Sequence, residues 1–149
     1  MLFSSKTPHW ATPKALYREL NDEFGFNFDP CPLGEMELDG SAPLFTEWSG
    51  KRVYCNPPYD RGIAVFLERA REAEVAVFLL PARTDTKWFH NLILPFAREI
   101  RFVKGRLKFG ESKNSAPFPS MIVIFKKWVD EEKAETIETA DPNCTGVPR

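Results

Sequence analysis

Apolar positions recur at helical spacing in two places along the chain. In residues 12–25, Ala15, Leu16, Leu20 and Phe24 share one helix face, with Thr12 as cap, Pro13 in the first turn and Gly25 as the stop. The same spacing returns at Ile63, Phe66, Leu67 and Ala70. Between the two, short strands are predicted at 26–29 and 52–55. They flank a Pro-, Gly- and acid-rich stretch, 30–50, read as a long loop of the kind that more often carries function than not. Residues 75–80, Val-Ala-Val-Phe-Leu-Leu, form a continuous apolar run suited to a buried parallel strand. A helix over 84–94 and a strand over 99–103 follow, and 105–109 with 120–125 suggest a hairpin-like finish. Strands alternating with helices predict a layered α/β fold with a mainly parallel sheet.

In such sheets ligands sit beyond the carboxyl ends of the strands. Asp29 and Asn56 both fall at predicted strand ends of that kind, which makes them site candidates. The chain of 149 residues, 43% apolar with 13 Phe, is long enough for one cored domain, placed at 1–129. Residues 130–149 turn acidic and are expected to form a mobile tail. Net charge is -1, but 130–149 hold six acids and two bases, so the body carries 18 bases against 15 acids. Within it Arg98, Arg101, Lys104, Arg106, Lys108 and Lys113 form a basic stretch, compatible either with phosphate contact or with a merely solvated face. Three scattered cysteines, Cys31, Cys55 and Cys144, fit neither a disulfide scaffold nor a zinc site, and suit a reducing cytoplasm. His9 and His90 lack metal-ligand spacing, so no metal is expected. No membrane-spanning run and no secretory signal is evident.

Asn56-Pro57-Pro58-Tyr59 is the most informative stretch. Two consecutive prolines fix two φ angles and remove two backbone donors, leaving stiff backbone that offers carbonyl oxygens. Asn56 adds a side-chain acceptor and Tyr59 a flat aromatic face. Such a cluster suits a planar base bearing an amino group. If the Asn56 oxygen and the Pro57 carbonyl accept both hydrogens of an adenine N6 amine, its lone pair leaves the ring system and becomes nucleophilic. The same dipoles stabilise the charge that develops on nitrogen. Tyr59 would stack on the base once it is flipped from the duplex. The alternative is a rigid turn without chemistry; a strand before it, a helix after it and the leading Asn favour the functional reading.

The blocks HWATP, FDPCP, LDG with Trp48 beyond it, YCNPPY, LLPARTDTKWF, KGRLKF and SAPFPSMIVIF resemble, in order and spacing, the phage and prophage DNA N6-adenine methyltransferase family. The resemblance runs from His9 to about Phe125. It implies a compact Rossmann-like fold, a mainly parallel sheet with an antiparallel C-terminal strand, S-adenosylmethionine as methyl donor and double-stranded DNA as partner. It assigns the chemistry to Asn56, Pro57, Pro58 and Tyr59, and donor binding to Trp10, Thr12, Pro13, Asp29, Pro30, Cys31, Asp39 and Asn56. Trp10 would pack on the donor, Asp29 would take its ammonium, and Asp39 its ribose. With no room for a separate recognition domain, DNA contacts are expected from Arg83, Lys87, Arg106 and Lys108. One departure is the absent FxGxG loop; Pro-Cys-Pro-Leu-Gly follows Asp29 instead. The competing readings are a methyltransferase acting on RNA or protein glutamine through the same motif, and a catalytically silent DNA-binding module.

Overall fold

The computed structural model describes residues 11–31, 47–59, 62–110 and 114–127. In chain order these form α1 (Lys14–Phe24), β1 (Arg52–Cys55), α2 (Gly62–Leu67), β2 (Val75–Pro81), β3 (Glu99–Phe102) and β4 (Ser120–Lys126). A 3-10 turn, Ala70–Glu72, extends α2, and a π turn, Phe89–Ile93, precedes β3. Trp10 and Asp39, Lys113, His9, Cys144 and the acidic tail lie outside the described residues.

The strands make one mixed sheet in the order β1-β2-β4-β3. β1 runs parallel to β2, while β4 is antiparallel to both β2 and β3. Thus β1, β2 and β3 point the same way, yet only one of the three ladders is parallel, because β4 is wedged between β2 and β3. The expected strand at 26–29 shrinks to a single parallel bridge, Phe28 to Val53, with the Tyr54 amide donating to the Phe28 carbonyl at 3.0 Å. The expected hairpin partner of β4 is also different. Residues 105–109 form no strand, since both sides of β4 are taken by β2 and β3.

Alternation along the strands sorts side chains onto two faces. Tyr54 meets Tyr17 of α1 edge-on at 5.1 Å, so α1 covers the Tyr54 face. Phe78 pairs in register with Cys55 and meets Trp48, as does Phe66 of α2, so α2 and Trp48 cover the opposite face. All seven residues of β2 are buried between these layers.

The helix predicted at the start ends where expected. Gly25 takes φ 63°, a left-handed conformation glycine adopts without Cβ strain, and its amide donates to the Asn21 carbonyl at 2.8 Å. No basic residue sits in the last turn of α1; Arg52 of β1 supplies one, its Nε donating to the Phe24 carbonyl at 2.6 Å. The helix expected over 84–94 is present but shorter: residues 87–88 are α-helical and run into the π turn Phe89–Ile93. Thr86 opens it: its Oγ1 accepts the Phe89 amide at 3.2 Å in the manner of an N-cap, and His90 Nε2 lies 2.8 Å from the Thr84 carbonyl. No helix among the described residues is long and apolar enough to cross a membrane.

Trp48 is fully buried, ringed by Phe28, Phe66 and Phe78 with the Arg69 guanidinium over it at 5.3 Å. Its Nε1 has no hydrogen-bond partner among the described residues. Trp48→Ala is therefore expected to cost about 3–5 kcal/mol through the cavity it leaves. Trp48→Phe, which also removes the buried N–H, is expected to cost far less. Urea titrations of the two variants check the contrast; equal losses would mean the ring does not fill this space.

Candidate active site

Asn56 lies one residue beyond β1 and two beyond Tyr54, so the two side chains project toward the α1 face. There they meet Thr12. The Asn56 Nδ2 donates to Thr12 Oγ1 at 3.2 Å, and Thr12 Oγ1 lies 2.7 Å from the Tyr54 hydroxyl. This overturns the reading of Thr12 as the cap of α1. Pro13 occupies the N-cap position, with φ -59°, ψ 135° and no side-chain cap, and accepts the Tyr17 amide at 3.0 Å. The hydroxyl turns inward because a phenol and an amide offer it partners there.

All four residues of the Asn-Pro-Pro-Tyr corner are buried. A Cβ added at Gly62 would sit 3.4 Å from Pro58 Cδ, so α2 begins tight against the second proline ring. Tyr59, expected as a flat stacking face, is covered in this conformation. Only 7% exposed, it donates its hydroxyl to the Leu79 carbonyl at 2.9 Å and is met edge-on by Phe109 and Phe118. The Leu79 carbonyl draws the phenol into the core, and the ring anchors the corner from beneath. Asn56 is 3% exposed, so a ligand reaches it in this conformation only by displacing what covers it.

Asp29 follows the Phe28 bridge and faces a cavity of about 410 Å³ lined by Thr12, Lys14, Tyr17, Arg18, Asp29 and Tyr54. Its Oδ1 accepts the Cys31 amide at 2.8 Å, which folds the chain back after the bridge. Burial pushes its carboxyl up to about 6, the Cys31 bond opposing only in part. No cation pairs with it among the described residues. Pro30 and Cys31 are buried behind this wall; burial first, and then the neighbouring Cys31 thiol, raise the Cys55 thiol. Burial likewise pushes the Tyr54 phenol far up, so it stays a neutral O–H.

The basic stretch divides. Arg101 is held by Glu23 and Glu99, its bonds to Glu23 measuring 2.8 and 2.7 Å. Arg98 sits at the opposite end of the sheet, its amide bonded to the Ile124 carbonyl. Lys104, Arg106 and Lys108 are exposed on the loop that leaves β3 at the same end as Asn56. That loop reaches the site, since the Gly110 amide donates to the Ala11 carbonyl at 2.9 Å, beside Thr12. Arg83 is exposed after β2, 5.9 Å from the Phe118 ring, and Lys87 is exposed beyond it.

Sequence reasoning missed Lys14, Tyr17, Arg18 and Tyr54. A signal existed for Tyr54, because a residue two before Asn56 on a strand must share its side. For the α1 residues, the helical periodicity marks the exposed face without saying what it meets.

The family profile described as DNA N-6-adenine-methyltransferase (Dam) matches residues 2–143. No match was found among curated proteins or among solved structures. The match takes in the α1 entry, Asp29, the proline-locked corner and both basic loops. The chain belongs to the DNA N-6-adenine-methyltransferase (Dam) family.

Proposed function

We propose that this protein is a compact Rossmann-like enzyme that transfers a methyl group from S-adenosylmethionine to N6 of an adenine flipped out of double-stranded DNA. One observation carries the reading: Thr12, in the cavity wall, touches Asn56, at the head of the corner, through a 3.2 Å hydrogen bond. A donor in the cavity and an amine held by Asn56 would therefore meet across a single side chain.

The residues present fit the donor. The cavity is within the roughly 300–1,000 Å³ usual for small-molecule sites. Asp29 is a desolvated carboxylate awaiting a cation, and the donor's ammonium would restore its charge balance. Lys14 and Arg18 on the same wall suit the donor's carboxylate, and Tyr17 and Tyr54 its apolar body. These groups give a basis for donor binding without a Gly-rich loop. Pro13, Pro30 and Cys31 would hold the walls, while Trp10 and Asp39 enter by resemblance alone. The bound donor supplies an electrophilic methyl on its sulfonium.

Asn56 Oδ1 and the Pro57 carbonyl would accept the two N6 hydrogens and stabilise charge developing on nitrogen, a contribution typically worth about 3–4 kcal/mol. Pro57 and Pro58 keep those acceptors from moving. Base entry requires the cover over Asn56 to open, and stacking on Tyr59 requires Phe109 and Phe118 to withdraw. Arg83, Lys87, Arg106 and Lys108 would contact the DNA backbone at this end. A catalytically silent DNA-binding module is favoured only by the absent FxGxG loop; RNA or glutamine as acceptor draws on the same corner, with no further feature among the described residues in its favour.

Asn56→Ala is expected to lower transfer of labelled methyl to DNA by at least about 10²–10³-fold, with a cooperative melt retained. Undiminished 6-methyladenine from this variant would refute the assignment, and absent donor binding at millimolar concentration would support the silent module. Arg106→Ala should weaken DNA binding and reduce the salt slope of log K by about 1, as measured by fluorescence anisotropy.

Asp29 makes a second, pH-dependent test. Its carboxyl is raised from the ordinary 3.8 to about 6, so the folded state holds the proton more tightly. Stability therefore falls as pH rises through the window from 3.8 to about 6, and the full penalty persists above it. Asp29→Asn should raise the melting temperature at pH 7.5 while weakening the donor. Wild-type donor affinity should fall as pH drops below about 6. Calorimetry showing pH-independent affinity between pH 5 and 7.5 would remove Asp29 from the donor site.

A further inference from the structure

A carboxamide has two orientations that exchange its oxygen and its NH2, nearly equal in shape and opposite in function. Only the one with oxygen toward the acceptor amine serves the proposed reaction. Something must choose between them. In the structure Asn56 Nδ2 points at Thr12 Oγ1, 3.2 Å away, which turns Oδ1 away from Thr12. Thr12 Oγ1 in turn lies 2.7 Å from the Tyr54 hydroxyl.

A threonine hydroxyl has one hydrogen and two lone pairs. If its hydrogen goes to the Tyr54 oxygen, Thr12 can only accept from Asn56, and the amide must present nitrogen to it. If the hydrogen is free, Thr12 can instead donate to Asn56 Oδ1, and Thr12 no longer distinguishes the two amide orientations. At 2.7 Å either hydroxyl can donate, and Tyr54 is held where its oxygen can take the Thr12 hydrogen. Its ring is clamped by Tyr17 at 5.1 Å and Phe26 at 5.3 Å, and its amide is bonded to Phe28. Pro13 fixes the chain on one side of Thr12, and the Gly110 amide, bonded to the Ala11 carbonyl, fixes the other. The phenol remains neutral and lines the donor cavity, so its own hydrogen has somewhere to go.

We propose that Tyr54 and Thr12 form a positioning relay, Asn56 Nδ2–H to Thr12 Oγ1–H to Tyr54 Oη, that holds the Asn56 carboxamide with its oxygen toward the acceptor amine. The relay rests on the reading of Asn56 as the residue that binds N6. It acts through Asn56, so neither Tyr54 nor Thr12 need touch the base. One net hydrogen bond biases the two amide orientations by roughly two- to tenfold, which sets the scale of the effect.

The test uses Tyr54→Phe, Thr12→Val and Thr12→Ser in the full chain, with Asn56→Ala as reference. At saturating donor and DNA, Tyr54→Phe and Thr12→Val are expected to lower kcat by roughly two- to tenfold, with the KM for DNA little changed. Thr12→Ser, which keeps the hydroxyl, should recover most of the loss. The Asn56 side-chain NH2 resonances of the free protein should shift in Tyr54→Phe and Thr12→Val but not in Thr12→Ser, a readout independent of turnover. Unchanged kcat and unshifted Asn56 resonances in both variants, with Asn56→Ala inactive, would overturn the relay and leave the proposed function standing. Full activity of Asn56→Ala would overturn that function and the relay's purpose with it.

Discussion

A strand buried along its whole length must satisfy its backbone from both sides, and β2 is such a strand. It takes β1 in parallel on one edge and β4 antiparallel on the other. These two ladders place the site. Cys55 opposite Phe78 puts Asn56 just past the end of β1, and Pro81 opposite Ser120 closes β2 at the same end. Phe102 opposite Met121 brings β3 out there too. The loops carrying Arg83, Arg106 and Lys108 consequently rise at the end of the sheet where Asn56 and Asp29 stand.

The site is expensive to hold. Asp29 is a carboxylate whose burial raises it to about 6, and Asn56 and Tyr54 are polar groups almost wholly removed from solvent. Burying such groups costs free energy unless they are hydrogen-bonded. The Tyr54–Thr12–Asn56 contacts meet part of that cost, and aromatic packing on both faces supplies the stability against which it is set. Tyr17, Phe24 and Phe26 gather around Tyr54, while Phe28, Phe66 and Phe78 gather around Trp48.

Charge is partitioned in the same spirit. Arg52 and Arg101, on the α1 face, are bound by Glu74, Glu23 and Glu99, and they tie α1 to the sheet through the Phe24 carbonyl and Glu23. Arg83, Lys104, Arg106 and Lys108 stay exposed at the site end. A net charge of -1 hides this arrangement, because an average over the chain says nothing about which cations are committed to carboxylates.

The sequence by itself determined what depends on near neighbours. Helical periodicity and Gly25 bounded α1, the apolar run marked β2, and the two prolines marked a stiff corner after a strand. Asp29 and Asn56 were legible as strand-end residues. Tertiary structure alone decided the rest. Thr12 finds its partners 42 and 44 residues away, so a local reading made it a helix cap. Tyr59 was legible as a flat aromatic face, but not that its hydroxyl would bond the Leu79 carbonyl, 20 residues on, in the core. The strand beside β4 was misassigned for the same reason. Pairing depends on which edges remain unfilled once the sheet assembles, and no local pattern of side chains records that.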